Sequence, residues 1–416
     1  MTRAVPWKSL AALALALSAT AASAQLKIAY IDPLSGLMAA TGDHGLRELR
    51  FAADRMNAAG GILGQKIEIV AFDGKLSPQE SQLAVNRALD EGIHYVVQGN
   101  GSSVANAIIE TLNRNNERNP GNRALFFNYA AIDPDFTGSK CSYWHFRFDA
   151  NSDQKLHTLI SYMAKHKEPV KKVYLINQDY QFGHQVSKTA QELVKELVPS
   201  ARIVGDEFHA LAKVKDFTPY VTKIQQSGAD TVITGNWGSD LALLIKAARD
   251  AGLKARFYTF YAGVVGSPVA LGEAGVNRVF NVSYVEENAM SPEGTRYVED
   301  YKKQFGKEQD PYTFALVEML DLLARAATQA HSVDPTRVAA AMEGMKGANF
   351  FGPIEMRKDN HQLLQNLYVA EFEKVNGKDV KYNADGTLEY GFRTVYEAPA
   401  EQTRLPTTCH MQRPTS

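Results

Sequence analysis

The sequence predicts an α/β protein built from two doubly wound, Rossmann-like lobes. From residue 27 onward, short runs rich in β-branched residues alternate with longer amphipathic stretches, the rhythm of parallel sheets covered by helices. The first elements form a βαβ unit: a strand at Lys27–Ile31, a helix from about Asp43, a turn at Gly60 and Gly61, and a strand at Lys66–Phe72. The 416 residues also exceed what one hydrophobic core usually supports, which predicts two lobes.

The later elements are assigned from hydrophobic periodicity and from the turn residues between them. Strands are predicted at Ile67–Phe72, Tyr95–Gln98, Ala124–Asn128, Lys172–Asn177, Arg202–Glu207, Thr231–Thr234 and Ala255–Thr259. Helices are predicted at Gln79–Leu89, Val104–Asn115, Asp153–His166, Gly183–Leu197, Thr218–Gly228 and Ser239–Ala251. These form two βα series, one before about Arg147 and one after it.

The C-terminal third does not simply extend the second series. It begins with a predicted strand at Asn281–Glu286 and continues with three predicted helices, at Gly294–Phe305, Tyr312–Gln329 and Val338–Met345. Two further strands are predicted, at Asn366–Phe372 and Thr394–Tyr396.

The first 24 residues have the pattern of a secretory signal peptide. Arg3 and Lys8 precede an uncharged run from Leu10 to Ala22, and Ala22-Ser23-Ala24 forms a small-x-small cleavage site. A membrane anchor is the alternative, but the apolar run is shorter than the roughly 20 residues that span a bilayer. We expect cleavage before Gln25, export and a soluble mature chain.

The charge balance argues against nucleic acid and anionic membranes as partners. Removing Arg3 and Lys8 with the signal peptide lowers the 45 basic residues to 43, against 46 acidic ones. A chain so close to neutrality has no electrostatic basis for binding a polyanion.

Two cysteines, Cys141 and Cys409, remain in the mature chain. In an oxidising compartment an isolated pair favours a disulfide, which would tie the C-terminal tail, residues 406–416, to the middle of the chain. The alternative is a buried thiol and a free thiol on a mobile tail.

Two motifs at the start of the chain resemble a known family. Pro33-Leu34-Ser35-Gly36, followed by the segment Asn57–Gly64 (Asn-Ala-Ala-Gly-Gly-Ile-Leu-Gly), is similar to the opening of periplasmic solute-binding proteins of the branched-chain amino acid type. Further segments extend the resemblance over essentially the whole mature chain: Gly99–Ser103, Asn128–Pro134, Asp179–Gly183 and Ser239–Gly252.

The resemblance implies the type I periplasmic binding fold, with two lobes joined by a three-strand hinge. It places lobe 1 at residues 25–147 plus 287–350 and lobe 2 at residues 148–286 plus 351–405. The implied crossings lie near Arg147–Asp149, Tyr284–Glu287 and Phe350–Gly352. It also implies a monomer in the periplasm that delivers a small-molecule ligand to ABC permease subunits in the inner membrane.

The turn Gly99–Val104 joins a strand to a helix and has two hydroxyls, Ser102 and Ser103, at the helix start. Free N–H groups and the helix dipole favour an anion there, although a serine at this position is also an ordinary N-cap. The resemblance implies that this turn holds the carboxylate of the ligand. Because the segment lacks the Gly-Lys-Ser/Thr ending of a phosphate loop, no nucleotide or other cofactor is expected.

Two positions depart from the pattern of amino acid-binding relatives. In the turn Tyr129-Ala130-Ala131-Ile132, relatives have a threonine where this chain has Ile132. Where relatives have a glutamate that pairs with the ligand ammonium, this chain aligns Ala262, and no acidic residue occurs between Asp250 and Glu273. An unpaired buried ammonium would cost several kcal/mol, so the sequence argues against an α-amino acid.

Aromatic residues occupy the expected pocket positions, at Tyr129, Tyr180, Phe182, Trp237, Tyr261 and Tyr312. Taken singly, each favours core packing. Most follow strand ends, however, where side chains face a cleft, and their flat apolar faces suit an apolar or aromatic ligand body. The predicted ligand is therefore a small carboxylate with such a body, held at Ser102 and Ser103 and covered by Trp237 and Tyr261.

Nothing in the sequence indicates an enzyme or a metal site. It contains no Gly-x-Ser-x-Gly and no His-Glu-x-x-His motif, and its histidines are scattered. The predicted function is the substrate-binding component of an ABC importer. A true branched-chain amino acid carrier and a ligand sensor of the same fold remain alternatives.

Overall fold

The computed structural model describes residues 25–166, 169–264, 266–384 and 386–414. The predicted signal peptide, residues 1–24, lies outside the described residues. Among the described helices, none combines the length and the apolar character needed to cross a bilayer.

The strands, in chain order, are β1 (Leu26–Asp32), β2 (Ile67–Asp73), β3 (Tyr95–Gln98), β4 (Leu125–Asn128), β5 (His145–Arg147), β6 (Lys172–Gln178), β7 (Arg202–His209), β8 (Thr231–Thr234), β9 (Arg256–Thr259), β10 (Val279–Ser283), β11 (Lys346–Asn349), β12 (Gly352–Met356), β13 (Leu363–Leu364), β14 (Leu367–Lys374) and β15 (Tyr390–Ala398).

The α-helices are α1 (Ala39–Ala58), α2 (Pro78–Asp90), α3 (Ser102–Arg118), α4 (Ser152–Lys165), α5 (Gln181–Leu197), α6 (Thr218–Ser227), α7 (Gly238–Asp250), α8 (Ser267–Gly275), α9 (Pro292–Phe305), α10 (Ala315–Ala330) and α11 (Pro335–Met342).

The first sheet has the strand order β2-β1-β3-β4-β5, and all its strands are parallel. Successive residues of β1 face opposite ways. Ile28 and Tyr30 pack against α1 and α10, whereas Ala29 and Ile31 pack against α2 and α3. Because helices cover both faces, the strands are buried on both sides and read as continuous apolar runs.

The second sheet has the order β15-β14-β10-β9-β8-β6-β7. It is parallel from β10 to β7, and β14 and β15 add an antiparallel edge. In β6, Val173 and Leu175 face α4 and α5, whereas Tyr174 and Ile176 face α6 and α7. The predicted α/β class with doubly wound parallel sheets is therefore confirmed.

The chain passes between the two sheets in three places. It leaves the first sheet after β5 and enters α4, returns after β10 towards α9, and passes through the small sheet β11-β12-β13 before β14. Arg147 at the end of β5 is fully buried, and its Nε donates to Gln362 Oε1 at 2.7 Å. The lobe boundaries derived from the resemblance stay a prediction.

Several elements were not predicted, each for a local reason. Strand β5 is only three residues long and contains His145 and Arg147, which are polar yet buried. Helix α8 contains Gly272 in a non-helical conformation, and β11 is largely exposed, so neither shows a clear periodicity. Helix α10 begins at Ala315, three residues after the predicted Tyr312.

The predicted disulfide is present. Cys141 and Cys409 are bonded, with their Cα atoms 5.6 Å apart, and they close a sequence separation of 268 residues. Hydrogen bonds also hold the C-terminal segment around this disulfide. Thr407 Oγ1 donates to the Thr137 carbonyl at 2.7 Å, and Arg357 Nη1 donates to the Leu405 carbonyl at 2.8 Å.

Candidate ligand-binding site

A cavity lies where the carboxyl ends of parallel strands from both sheets face each other. Its walls come from the loops after β3, β4, β6, β8 and β9, as expected for a ligand site on doubly wound sheets. The lining residues are Thr41, Gly99, Asn100, Gly101, Ser102, Ala130, Ala131, Ile132, Tyr180, Phe182, Trp237, Gly238, Tyr261, Val264 and Tyr312. Most of the predicted ligand-binding residues therefore lie together.

The start of α3 presents free donors to this cavity. Gly101, at φ 92°, precedes the helix and makes no side-chain cap, and the N–H groups of Val104 and Ala105 both bond its carbonyl. The N–H groups of Ser102 and Ser103 come before these bonds, so the helix offers them no acceptor. Ser102 lines the cavity and is buried, whereas Ser103 is half-buried and does not line it.

A buried carboxylate fixes this turn from below. Asp32, at the end of β1, accepts the N–H of Asn100 at 2.9 Å and the N–H of Gly99 at 3.3 Å. It also accepts the hydroxyl of Tyr129 at 2.7 Å. Burial raises the pKa of Asp32 to about 6, and the hydrogen bonds from Tyr129 and Asn100 oppose that rise. Asp32 therefore positions the turn Gly99–Val104.

Tyr129 belongs to this supporting layer and does not line the cavity. It is fully buried, its ring lies directly under Gly99, and a Cβ on Gly99 would lie 2.7 Å from the ring. Asn100 links the layer to the wall, because its Nδ2 donates to the Tyr129 hydroxyl at 2.8 Å and its Oδ1 accepts the Tyr312 hydroxyl at 3.0 Å.

The other predicted aromatic residues form the wall of the cavity. Trp237 Nε1 donates to the Tyr180 hydroxyl at 2.9 Å, and the Tyr180 and Phe182 rings pack edge to face at 5.9 Å. Burial raises the pKa of Tyr180, Tyr261 and Tyr312, so all three hydroxyls are neutral at pH 7. The wall is uncharged and largely apolar.

The two loops that contain Ile132 and Ala262 differ in whether these residues reach the cavity. Ala131 and Ile132 line the cavity. Ala262 does not line it: this residue is fully buried in the apolar core of the second sheet, and its N–H donates to Asn281 Oδ1 at 2.9 Å. Its neighbours Tyr261 and Val264 line the cavity instead, and none of the described lining residues is Asp or Glu.

Contacts beside the cavity link the elements that cover the two sheets. Met38, before α1, is buried in the core of the second sheet, and its Sδ lies 3.6 Å from the Ser239 hydroxyl. Gly238, at φ 58°, lies against it, and a Cβ at this position would be 2.6 Å from Met38 Sδ.

A second, larger cavity adjoins the first and shares Ala130, Tyr261, Val264 and Tyr312 with it. Its volume, including space open to solvent, is about 1090 Å³, against about 400 Å³ for the first. We call this second cavity the side chamber.

Sequence reasoning missed the residues that support or extend the site. Asp32 follows a buried strand at the ligand edge of the sheet, a position that is itself a usable signal. Asp149, Lys155 and Glu286 of the side chamber offer no such signal, because they come from two segments that lie far apart in the sequence. The described residues contain no cluster of three or more metal-ligating side chains.

Comparison with known proteins identifies the family. The family profile described as "Periplasmic binding protein" matches residues 25–379. The "Leu/Ile/Val-binding protein homolog 4" of Brucella abortus (strain 2308) is 35% identical over 414 residues, covering 97% of both chains.

Solved structures show the same fold. The closed conformation of a leucine-, isoleucine-, valine-, threonine- and alanine-binding protein from Brucella ovis is 33% identical, with a TM-score of 0.82 over 94% of this chain and 100% of that one. A solute-binding protein from Rhodopseudomonas palustris BisB5, in complex with 3,4-dihydroxybenzoic acid, has a TM-score of 0.76 at 20% identity, over 90% of this chain and 98% of that one. Proteins of this kind bind solutes for ABC transporters and do not transform them. The chain therefore belongs to the periplasmic binding protein family and is a solute-binding protein rather than an enzyme.

Proposed function

We propose that this protein is the substrate-binding component of an ABC importer and that its ligand is a small carboxylate with an apolar or aromatic body. One observation carries the choice of ligand: the cavity combines free helix N–H groups and aromatic rings with no acidic side chain among its described lining residues.

The start of α3 supports the position of the carboxylate. The N–H groups of Ser102 and Ser103 have no helical acceptor, and the dipole of a 17-residue helix favours negative charge at this end. Ser102 also lines the cavity at this helix start, and its hydroxyl would act as a further donor. Charge-assisted hydrogen bonds of this kind are about twice as strong as neutral ones.

The rest of the cavity supports the apolar body. Trp237, Tyr261 and Phe182 present flat faces, and Ile132 replaces the polar side chain expected in amino acid binders. An α-ammonium would lie among these groups without a carboxylate partner, at a cost of several kcal/mol.

Binding would couple to a hinge motion between the two lobes. The contact of Met38 with Gly238 and Ser239 supports a closed form in which the second lobe covers the ligand. A ligand that bridges both lobes stabilises this form, and the permease in the inner membrane would recognise it. The lobe boundaries at residues 147, 287 and 350 and the monomeric state belong to the same proposal.

A branched-chain amino acid is the second candidate. It is favoured by the Brucella ovis structure, whose protein binds leucine, isoleucine, valine, threonine and alanine and is 33% identical to this chain. The Rhodopseudomonas palustris complex with a dihydroxybenzoic acid shows that the same fold also holds aromatic acids.

Thermal unfolding of the ligand-stripped mature chain separates the two candidates. A ligand that binds only the native state raises the unfolding midpoint, because it stabilises that state by RT ln(1 + L/Kd), where L is the free ligand concentration. The panel contains leucine, isoleucine, valine, benzoate, hydroxybenzoates and short aliphatic acids. We expect a shift with aromatic or aliphatic acids and none with the amino acids. A shift with leucine, isoleucine or valine alone would overturn the proposed ligand class.

A further inference from the structure

The side chamber behind Tyr261 and Tyr312 differs chemically from the first cavity. Its described walls include four carboxylate side chains, of Asp149, Glu286, Glu287 and Asp310, and a single lysine, Lys155. The first cavity has no charged side chain among its described lining residues. The two spaces adjoin at the four residues that they share, Ala130, Tyr261, Val264 and Tyr312.

Glu286 is the first of two groups that point to a cationic ligand. Its side chain is only 3% exposed, and its Oε1 accepts two hydrogen bonds from Asn288, at 3.0 and 2.9 Å. The Thr394 side chain is a further hydrogen-bond partner of Glu286. All these donors are neutral, and none of the ion pairs among the described residues includes Glu286. A buried carboxylate without a counter-ion is costly, and burial raises its pKa.

Asp149 is the second group. Its Oδ2 accepts Lys155 Nζ at 2.6 Å, and the two side chains are 4% and 2% exposed. Its other oxygen, Oδ1, has no hydrogen-bond partner among the described residues. Lys155 is further committed to the Tyr261 ring, since its Nζ lies 5.2 Å from the ring centroid. This lysine is therefore held in place by two partners, while Asp149 keeps a vacant acceptor.

We propose that the side chamber receives a cationic nitrogen at the far end of the bound carboxylate. The ligand is then an amino carboxylate whose ammonium group is remote from its carboxylate, with an apolar or aromatic body between the two. This inference rests on the proposed function and deepens it, because the carboxylate stays at the start of α3.

The position of the acids explains why an α-amino acid is not the ligand that this arrangement selects. Glu286 and Asp149 line only the side chamber, beyond Tyr261 and Tyr312. An α-ammonium is attached to the carbon next to the carboxylate, so it stays in the first cavity beside Ile132. A remote ammonium passes the two tyrosines, whose ring faces attract cations.

Matched ligand pairs test the inference on the unaltered mature protein. We would measure calorimetric affinities for para-toluate and para-(aminomethyl)benzoate, and for hexanoate and its ω-amino derivative. In each pair the carboxylate and body are alike, and the second ligand adds an ammonium. We expect the ammonium compound to bind about tenfold tighter or more in at least one pair, the gain of one charge-assisted hydrogen bond.

A Glu286→Gln variant tests whether the tighter binding of the ammonium compound depends on the side chamber. The amide keeps an acceptor for Asn288 but removes the charge, so the preference for the ammonium compound is expected to fall to threefold or less while para-toluate affinity stays unchanged. Glu299→Gln, the same change on the exposed face of α9, is expected to keep the full preference.

The outcomes separate this inference from the proposed function. Equal or weaker binding of both ammonium compounds, with toluate or hexanoate bound, overturns the inference alone. An undiminished preference in a folded Glu286→Gln protein also overturns it. Failure of all four carboxylates to bind, together with binding of leucine, overturns the proposed function.

Discussion

The carboxylate of Asp32 holds the backbone of Asn100, whose N–H it accepts at 2.9 Å, beneath the turn proposed to bind the ligand. Neither Asp32 nor its partner Tyr129 contacts the space where the carboxylate would lie, yet both determine where the donors of Ser102 and Ser103 point. A buried acid thus holds this turn in place before any ligand binds. If the turn binds the ligand carboxylate as proposed, little further free energy is needed to order it.

Replacing this acid should weaken ligand binding indirectly. In Asp32→Ala the N–H groups of Gly99 and Asn100 lose their acceptor, so we expect carboxylate affinity to fall by about tenfold or more. Asp32→Asn keeps one acceptor oxygen, so its carboxylate affinity should lie between those of wild type and Asp32→Ala. Calorimetric titration measures the affinities, with Asp43→Ala on the exposed face of α1 as the control. A folded Asp32→Ala protein with unchanged affinity would show that the turn needs no such support.

Closure should depend on the absence of a side chain at residue 238. Gly238→Val would place atoms against Met38, which is buried and has little room to move, so we expect a loss of ligand affinity of about tenfold. Gly252, after the other end of α7, also has positive φ but no neighbour within 4 Å of a Cβ. Gly252→Val therefore carries a similar backbone strain and should lower the unfolding midpoint without changing affinity.

A Met38→Ala change made together with Gly238→Val should restore part of the lost affinity, because it removes the other half of the clash. The double variant is compared with each single variant in one thermodynamic cycle. Independent, additive effects of the two substitutions would argue that their contact does not limit closure.

The disulfide should matter for stability and not for ligand binding. Cys141 and Cys409 close a separation of 268 residues and lie outside both cavities. Replacing both by serine should lower the free energy of unfolding by about 5 kcal/mol in the chain-entropy account. Denaturant unfolding measures this, and reduced wild-type protein should match the variant. A fall in ligand affinity of the folded variant would instead link the tail to the cavity.

The pH dependence of stability should reveal a buried acid in α10. Burial raises the pKa of Glu318 to about 8, against partial compensation from Asn349. The folded state therefore binds a proton that the unfolded chain releases near pH 4.5. The contribution of Glu318 to the free energy of unfolding is thus fully present below that pH and is lost as the pH rises towards 8. Unfolding of Glu318→Gln should be less pH-dependent between pH 5 and 8, whereas Glu117→Gln should behave like wild type.

Much of the fold could be predicted from the sequence because its central strands are short, apolar and separated by clear turns. Tyr95–Gln98 and Thr231–Thr234 coincide with the predicted strands for this reason. Strand β5 was missed because it depends on buried polar contacts such as that of Arg147 with Gln362, which lie 215 residues apart. Local periodicity has no information about such pairs.

The sequence predicted the cavity-lining residues that follow strand ends better than it predicted the direction in which each loop side chain points. Ser102, Trp237 and Tyr261 follow strands, and the structure brings their side chains to one cavity. Tyr129 also follows a strand, but its ring turns under Gly99 to meet Asp32. Ala262 turns into the core because its N–H is held by Asn281. The direction of a side chain within a loop depends on such partners, which one-dimensional alignment does not show.

The position of the carboxylate is the central claim, and one calorimetric experiment tests it most directly. A carboxylate ligand from the thermal panel and its neutral carboxamide are titrated into the wild-type protein and into Ser102→Ala with Ser103→Ala. We predict that wild type prefers the acid by about tenfold or more and that the double variant loses much of that preference. Equal affinity of the folded double variant and wild type for the acid would contradict the proposed site.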